Sequence, residues 1–405
     1  MIFAEHIDKE MSERGARAPG SRATRFRRRA ACLCFAAAVL LAGAAPRAAE
    51  AYRTVAVIDY SEKLSADDTA LTSAINTSLA YRIEALPGAG VVPESDIETY
   101  LRAADIRKLW NQDKPAAKEF GRMSNADLVV MGRHWRLSSG PMNSEFRVLY
   151  MPPGDPARTS RINFKSSIDN VSEYQKKIFD GVISELPIKA PAGFWAGQRV
   201  IRNKDAFRHF GRGIMNINSQ KAEAGLSDFD RALKVEPDAR DIHYYLGRYF
   251  TTRQFDFNRA VERLEKVASA RGGDAGAQYW LGFTYYLKAD SQSALKSFER
   301  AKSLDPGSLE TLLMLGMLYN EKGDYEQAIK NYRAALALAP HRASVWYSLA
   351  AAAAVSGKRD EALAALRRSL ELDAATFHLP ARTDADFASL RSLREFREII
   401  DGLRP

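Results

Sequence analysis

Residues 281–306, LGFTYYLKADSQSALKSFERAKSLDP, and residues 315–340, LGMLYNEKGDYEQAIKNYRAALALAP, carry one pattern 34 positions apart. Leu281-Gly282, Tyr285, Ala294, Phe298, Ala301 and Pro306 correspond to Leu315-Gly316, Tyr319, Ala328, Tyr332, Ala335 and Pro340. Working outward, the small residue returns at Gly213, Gly247, Gly282, Gly316 and Ala350, at intervals of 34 or 35. A second small residue follows each at Gly225, Ala260, Ala294, Ala328 and Ala362, the beat broken only by one extra residue near Phe257. Two helices approach closely only where small side chains face each other, so each period reads as a helix pair. Pro237, Pro306 and Pro340 close three of the units, because proline cannot continue a helix.

These residues resemble the tetratricopeptide repeat (TPR). Units three and four match most fully. The second carries Leu246-Gly247, Phe250 and Ala260, the first Gly213, Gly225, Phe229, Ala232 and Pro237, and a weaker fifth begins with Trp346, Leu349 and Ala362. The resemblance implies five TPR units over 206–376. The tail Thr383-Asp384-Ala385-Asp386-Phe387, with Leu390-Arg391 and Phe396, resembles the element that ends such arrays, so 377–405 is expected to be a helical cap over an otherwise exposed apolar face.

From Tyr52 to about residue 190 the period changes. Thr54 to Asp59 is a short β-branched run followed by a helical stretch from about Asp67 to Leu86. Pro87 to Gly90 is a turn, Val91-Val92-Pro93 a short strand, and Ser95 with Glu98 fits a capping box opening a helix toward Ala103. A further helix is expected over Lys114 to Met123. Leu128–Trp135, Ser144–Met151 and Thr159–Ser167 read as three strands joined at Ser138-Ser139-Gly140 and Pro152-Pro153-Gly154, and Val171–Leu186 as a closing amphipathic helix. This layout, with Val55-Ala56-Val57, Leu86-Pro87-Gly88 and Ala126 to Gly132, resembles the TolB amino-terminal-like domain. The F-x-N-x-S stretch of that family is here only Tyr60-Ser61-Glu62-Lys63-Leu64. The expected fold class is α+β: a small mixed α/β domain over 52–190, a linker over 191–205, then an all-α TPR superhelical solenoid.

Arg25, Arg27, Arg28 and Arg29 precede an apolar stretch from Ala30 to Ala45, which Pro46 and Arg47 end. This is the basic region and short apolar core of a secretory signal, so residues 1–51 are read as a signal peptide with cleavage before Tyr52 or after Ala45. Met11 is an alternative start. The stretch is shorter than the roughly 20 residues that span a bilayer. The expected location is periplasmic, with an inner-membrane anchor facing the periplasm as the alternative. Cys32 and Cys34 both lie in the leader, so a cleaved chain has no disulfide, zinc-thiolate site or thiol nucleophile. The first 51 residues hold nine Lys or Arg against five Asp or Glu, which leaves +5 of the formal +9, and no basic run with interleaved aromatics points to nucleic acid.

No GxSxG, HExxH, Walker-type or calcium loop is present, and Gly211-Arg212-Gly213 falls where helix packing explains it better than phosphate binding. His134, His209, His243, His341 and His378 are scattered through separate units, and Asp127 and Glu145 are read as solvated carboxylates flanking the meander. The expectation is no enzyme, catalytic residue, cofactor or metal. What remains is a surface. In the TPR register the inner face comes from the first helix of each unit and includes Tyr244, Arg248, Tyr279, Phe283, Tyr286, Met317, Asn320 and Tyr347, a set suited to an extended peptide or a partner helix. Burial of these rings between helices is the competing reading. The lysine-asparagine clamp of chaperone-tail binders is replaced by Tyr279, Phe283, Leu313 and Met317. The functional expectation is a non-enzymatic exported scaffold or adaptor that binds protein or peptide partners, with peripheral envelope association. The alternative is a periplasmic ligand-sensing module relaying to a separate signalling protein.

Overall fold

The computed structural model describes residues 53–403 apart from 61–64, 87–88, 93–96, 98–99, 102–105, 112–114, 117–118, 121–123, 125, 137–141, 151–157, 167–168, 189, 191–193, 195–199 and 271–272. The leader, the Ser95/Glu98 capping box and both meander turns lie outside the described residues. Contacts divide the chain into two compact bodies, one ending at Leu318 and one beginning at Tyr319.

The first body opens with a five-stranded sheet of β1 (Arg53–Asp59), β2 (Ala89–Val91), β3 (Leu128–Arg136), β4 (Met142–Tyr150) and β5 (Arg158–Ser166), in the order β2-β1-β3-β4-β5. β1 is parallel to β2 and β3, while β3, β4 and β5 form an antiparallel meander. β1 packs on both faces, which is why its middle, Val55 to Ile58, is an unbroken apolar run. β5 alternates exposed Thr159, Arg161, Asn163 and Lys165 with half-buried Ser160, Ile162 and Phe164, as an edge strand with one wet face does.

α1 (Ala66–Glu84) follows β1. The Ser65 hydroxyl accepts from the Asp68 N–H at its start, and Asp67 and Asp68 lie in the first turn, where carboxylates complement the helix dipole. α2 (Ile106–Trp110) is a short helix that the sequence reading did not name, and α3 (Val171–Ser184), capped by Asn170, closes the domain. Val55, Val130, Phe146 and Val148 on one sheet face share a core with α1 and α3, while Ala56, Ile58, Val129 and Met131 on the other pack with Leu109, Trp110 and Phe120.

Helical repeats follow in pairs: α4 (Lys204–Asn218) with α5 (Ala222–Val235), α6 (Arg240–Tyr249) with α7 (Phe257–Ala268), and α8 (Ala275–Leu287) with α9 (Ser291–Leu304). The small residues sit at the crossings: a side chain built on Gly282 would meet the Phe298 ring at 2.8 Å, and one on Gly247 would meet Leu264 at 2.5 Å. The extra residue near Phe257 is absorbed by a π-helical turn over Phe250–Gln254, after which Phe255 takes the left-handed conformation that Gln220, Ala289, Gly323 and Gly357 also adopt between the helices of their units. The stretch read as a linker is anchored at its described positions. Ile201 is fully buried and its carbonyl accepts from Gln175, and the Phe194 ring stacks on Phe179 at 5.3 Å.

α10 (Leu309–Glu321) completes the first body, and its last turn opens the second. There α11 (Tyr325–Leu338) packs on α12 (Ala343–Val355), which pairs with α13 (Arg359–Thr383). α13 leaves helical geometry at Asp373, φ −157° and ψ 79°, so its final part is a separate segment turned back over α12, followed by a 3-10 turn at Ala385–Phe387 and α14 (Arg394–Gly402). Phe387, Phe396 and Phe377 form the buried side of this terminal element.

Candidate functional site

The eight residues that the repeat register assigns to a partner face divide into three environments. Tyr244 and Arg248 on α6 are covered by the α/β domain. The Tyr244 hydroxyl donates to Glu84 Oε2 at 3.0 Å, its ring meets Tyr81 edge to face at 4.7 Å, and only 6% of the residue is exposed. Burial, reinforced by Glu84, pushes the Tyr244 phenol well up from its ordinary value. Arg248 Nη1 lies 3.2 Å from the same Glu84 oxygen, and its guanidinium sits over the Trp280 ring at 4.7 Å.

α1 is held against these repeats by a fully buried ion pair. Arg82 bonds Asp241 through both forks, Nη1 to Oδ1 at 2.7 Å and Nη2 to Oδ2 at 2.8 Å, and Ser78 donates to the same carboxylate at 3.2 Å. Gly211 on α4 lies against the Ala70 carbonyl of α1 with no room for a side chain. The cavity enclosed beside Arg82, Glu84, Asp241, Tyr244 and Gly276 is about 20 Å³, room for about one water. One continuous core runs from Val55 through α1 and α4 to Leu281.

Tyr347, in the second body, is also sealed. It is 3% exposed, packs on Phe377 and Phe387 at 5.2 and 5.4 Å, and donates to Asp384 Oδ2 at 3.0 Å. Burial, with the nearby Asp384 charge, pushes its phenol up. Tyr286 is 2% exposed and belongs to the core. Neighbouring helices take these rings because each stands on a face that a helix or cap can reach.

Tyr279 and Phe283 on α8 differ. Both are half-buried, and their rings lie parallel, 6.4 Å apart with planes 5° off, with Trp280 edge-on to Phe283 at 5.6 Å. Burial, then the charges of Glu310 and Glu84, raise the Tyr279 phenol above its ordinary value. Met317 on α10 is likewise half-buried. In the second body Asn320 is half-buried, and its Oδ1 has no hydrogen-bond partner among the described residues.

The histidines do not converge. His134 is fully buried on β3, with Nδ1 2.9 Å from Ser144 Oγ and 3.2 Å from Tyr174 OH, and burial lowers its pKa to about 3, so it is a neutral core residue. His243 bonds the Pro237 carbonyl at 2.8 Å and His378 the Ile400 carbonyl at 2.9 Å. Asp127 accepts from the Thr54 N–H at 2.8 Å. Glu145 departs from the solvated reading: it is 1% exposed, at the centre of Arg133, Arg147 and Arg161. Burial would raise its pKa, but hydrogen bonds and charge from Arg133 and Arg147 outweigh that and hold the carboxyl below its ordinary value. The signal is cross-strand register, since Arg133 faces Glu145 and Arg147 faces Arg161, and register is visible only once the strands are paired. Among the described residues no group of three or more His, Cys, Asp or Glu is arranged to hold a metal, and no helix is long and apolar enough to cross a membrane.

Comparison with known proteins gives a family model described as TPR repeat over residues 316–354 and one described as tetratricopeptide repeat over residues 275–308. No curated protein matches the chain. Solved structures similar to it include MamA, at 24% identity over 39% of this chain and 92% of that one with TM-score 0.37. YrrB, a TPR protein with an unusual peptide-binding site, matches at 20% identity over 47% and 93% with TM-score 0.39. TTC0263, a thermophilic TPR protein from Thermus thermophilus, matches at 24% over 46% and 100% with TM-score 0.32. The helix pairs, the small residues at their crossings and the two matched segments together identify tetratricopeptide repeats in the helical part of this chain.

Proposed function

We propose that this protein is an exported, non-enzymatic scaffold whose repeats hold a protein or peptide partner at the face centred on Tyr279 and Phe283. The observation that carries this reading is the contrast within one register. Tyr244 and Tyr347 are covered by the protein's own flanking elements, whereas Tyr279 and Phe283 keep parallel, half-open rings. Aromatic rings that are already ordered lose little conformational freedom on binding and serve as anchors. Met317 is a further half-buried apolar position within the first body. TPR domains are generally protein-interaction scaffolds, and the peptide-binding site of YrrB is one instance. Export to the periplasm, or an anchor facing it, rests on the Arg25 to Ala45 leader pattern, and a TolB-like first domain rests on the β1-α1 and meander motifs.

The test uses the double variant Tyr279→Ser with Phe283→Ser and cross-linked capture from an envelope extract, beside circular-dichroism melting. Retained cooperative melting with loss of about tenfold or more in partner capture is expected, since truncated aromatic anchors commonly cost about 2 kcal/mol each. Unchanged capture by a folded variant removes this face as the binding site.

A second reading, a ligand sensor relaying through the repeats, is favoured by one observation. The Arg82 to Asp241 ion pair makes the α/β domain and the first repeats one packed unit, so a change in either is felt by the other. Heat-release titration of envelope metabolite fractions against the chain, followed by melting with and without the binding fraction, distinguishes it. Absence of any saturable heat leaves the scaffold reading alone.

A further inference from the structure

The sheet face opposite α1 and α3 is apolar over β1, β3 and Leu149 of β4. Toward the edge it becomes cationic, with Arg133 on β3, Arg147 on β4, and Arg161 and Lys165 on β5, against the single carboxylate of Glu145. β5 is the outermost strand among the described residues. Arg147 and Arg161 stand directly opposite each other, an arrangement of like charges that destabilises a sheet. One arginine would satisfy Glu145, and the protein gives it three.

These guanidiniums are also fixed in place. Arg147 lies over the Trp110 ring at 4.2 Å, Arg133 lies over Trp110 at 4.8 Å and over Trp135 at 4.9 Å, and Trp110 is itself stacked on Tyr60 at 4.2 Å. Arg147 also bonds the Trp110 carbonyl. Arg161 Nε lies 2.7 Å from Glu145 Oε1, and its side chain is 56% exposed. Lys165 is exposed and has no partner among the described residues. α2, which supplies Trp110, adds exposed Arg107 and Lys108 one turn earlier. Strands about 4.8 Å apart place the three arginines within roughly 10 Å, and Lys165 lies about 13 Å along β5 from Arg161.

We propose that this face docks on an anionic phospholipid surface, the exposed Arg161 and Lys165 meeting headgroup phosphates, Arg133 and Arg147 adding positive charge behind them and Trp135 standing at the rim. A sheet face with several fixed cations is complementary to a plane of phosphates. Tryptophan favours the boundary between headgroups and acyl chains, and each basic side chain near such a surface adds to the attraction. The inference stands on the α/β domain and is independent of the partner face on α8.

The test is co-sedimentation of the full chain with vesicles of phosphatidylcholine alone and of phosphatidylcholine with phosphatidylglycerol. Three proteins are compared: the unaltered chain, Arg161→Gln with Lys165→Gln, and Arg300→Gln with Lys296→Gln on α9, which removes the same charge from exposed positions elsewhere. The apolar leader is common to all three, so differences report the replaced residues. The expected result is retention by the phosphatidylglycerol vesicles that falls with added salt. The β5 variant should weaken by about tenfold and the α9 variant by little. Hydrogen exchange should slow in β4 and β5 when vesicles are added. Should the β5 variant melt without cooperativity, Lys165→Gln alone replaces it, with a smaller loss expected. Equal loss in both charge variants, or none in either, overturns the proposal. Binding of polyglutamate through Arg161 and Lys165 with no vesicle retention overturns it in favour of an acidic protein partner.

Discussion

Tyr244 and Tyr279 stand 35 residues apart at the same position of consecutive repeats, each the fifth residue of its unit's first helix. Around Tyr244 the face is filled by α1, whose Tyr81, Arg82 and Glu84 supply a ring, a buried cation and an acceptor. Around Tyr279 the neighbouring rings, Phe283, Trp280 and Phe298, come from the repeats themselves, and the residue stays partly open. A repeat position therefore says which way a side chain faces and leaves open what it meets. The same aromatic serves as an internal seam in one repeat and as a candidate partner surface in the next.

Unfastening the seam is expected to have the largest effect. Asp241→Ala leaves the Arg82 guanidinium buried without its counter-ion and is expected to lower stability by about 3 to 5 kcal/mol in chemical unfolding. Arg82→Met with Asp241→Leu, which removes both charges, should restore most of that. A wild-type midpoint for Asp241→Ala would show that α1 does not depend on this pair.

The α/β side of the seam also carries its own pH dependence. His134 has a folded pKa of about 3 against an ordinary 6.5, so between those values the unfolded state binds more protons than the native one. Its burial is therefore tolerated without penalty above about pH 6.5. Stability falls as pH drops toward 3, by up to about 1.4 kcal/mol per unit. His134→Gln should show a shallower acid slope than the unaltered chain, and parallel slopes would refute the assignment. Asp59 acts in the opposite sense, because burial, only partly offset by hydrogen bonds from Ser73 and Asn76, raises its pKa. For that reason the difference between the two proteins is the quantity to measure.

On the repeat side, Gly282→Leu would drive a branched side chain into the Phe298 ring and is expected to cost about 1 to 3 kcal/mol, read as a lower melting temperature. An unchanged melt would mean the crossing is looser than the 2.8 Å approach implies. Tyr244→Phe is a finer probe of the seam. Losing one hydroxyl bond to Glu84 should cost about 1 kcal/mol and leave partner capture intact, whereas any loss of capture would return Tyr244 to the binding face. The smallest effect is expected in the turn after α8. Ala289 holds φ 65° where the corresponding turns of later units have Gly323 and Gly357 at φ 80°, so Ala289→Gly should gain about 0.5 to 1 kcal/mol. A destabilised Ala289→Gly would mean that Ala289 holds its turn through contacts that outweigh its backbone strain.

The strands of the meander were legible because alternation has a fixed period of two: Leu128–Trp135, Ser144–Met151 and Thr159–Ser167 fall within a residue or two of β3, β4 and β5. α2 was not, because five residues make too short a window for a helical period. The candidate site was half legible. The repeat register placed Tyr279, Phe283 and Met317 on half-buried positions, and equally assigned Tyr244, Tyr286 and Tyr347, which are buried. An aromatic that will be covered and one that will remain open have the same local pattern.

The 34-residue helix pairs are written locally in the chain, since the small residues that permit close crossing and the prolines that end helices act within one unit and its neighbour. Which aromatics of the repeat register are covered and which stay half-buried depends on long-range packing. Arg82 reaches Asp241 across 159 residues, and Glu145 gathers arginines from two strands besides its own. Such partnerships depend on distance in space and on removal from water, and a one-dimensional period carries neither quantity.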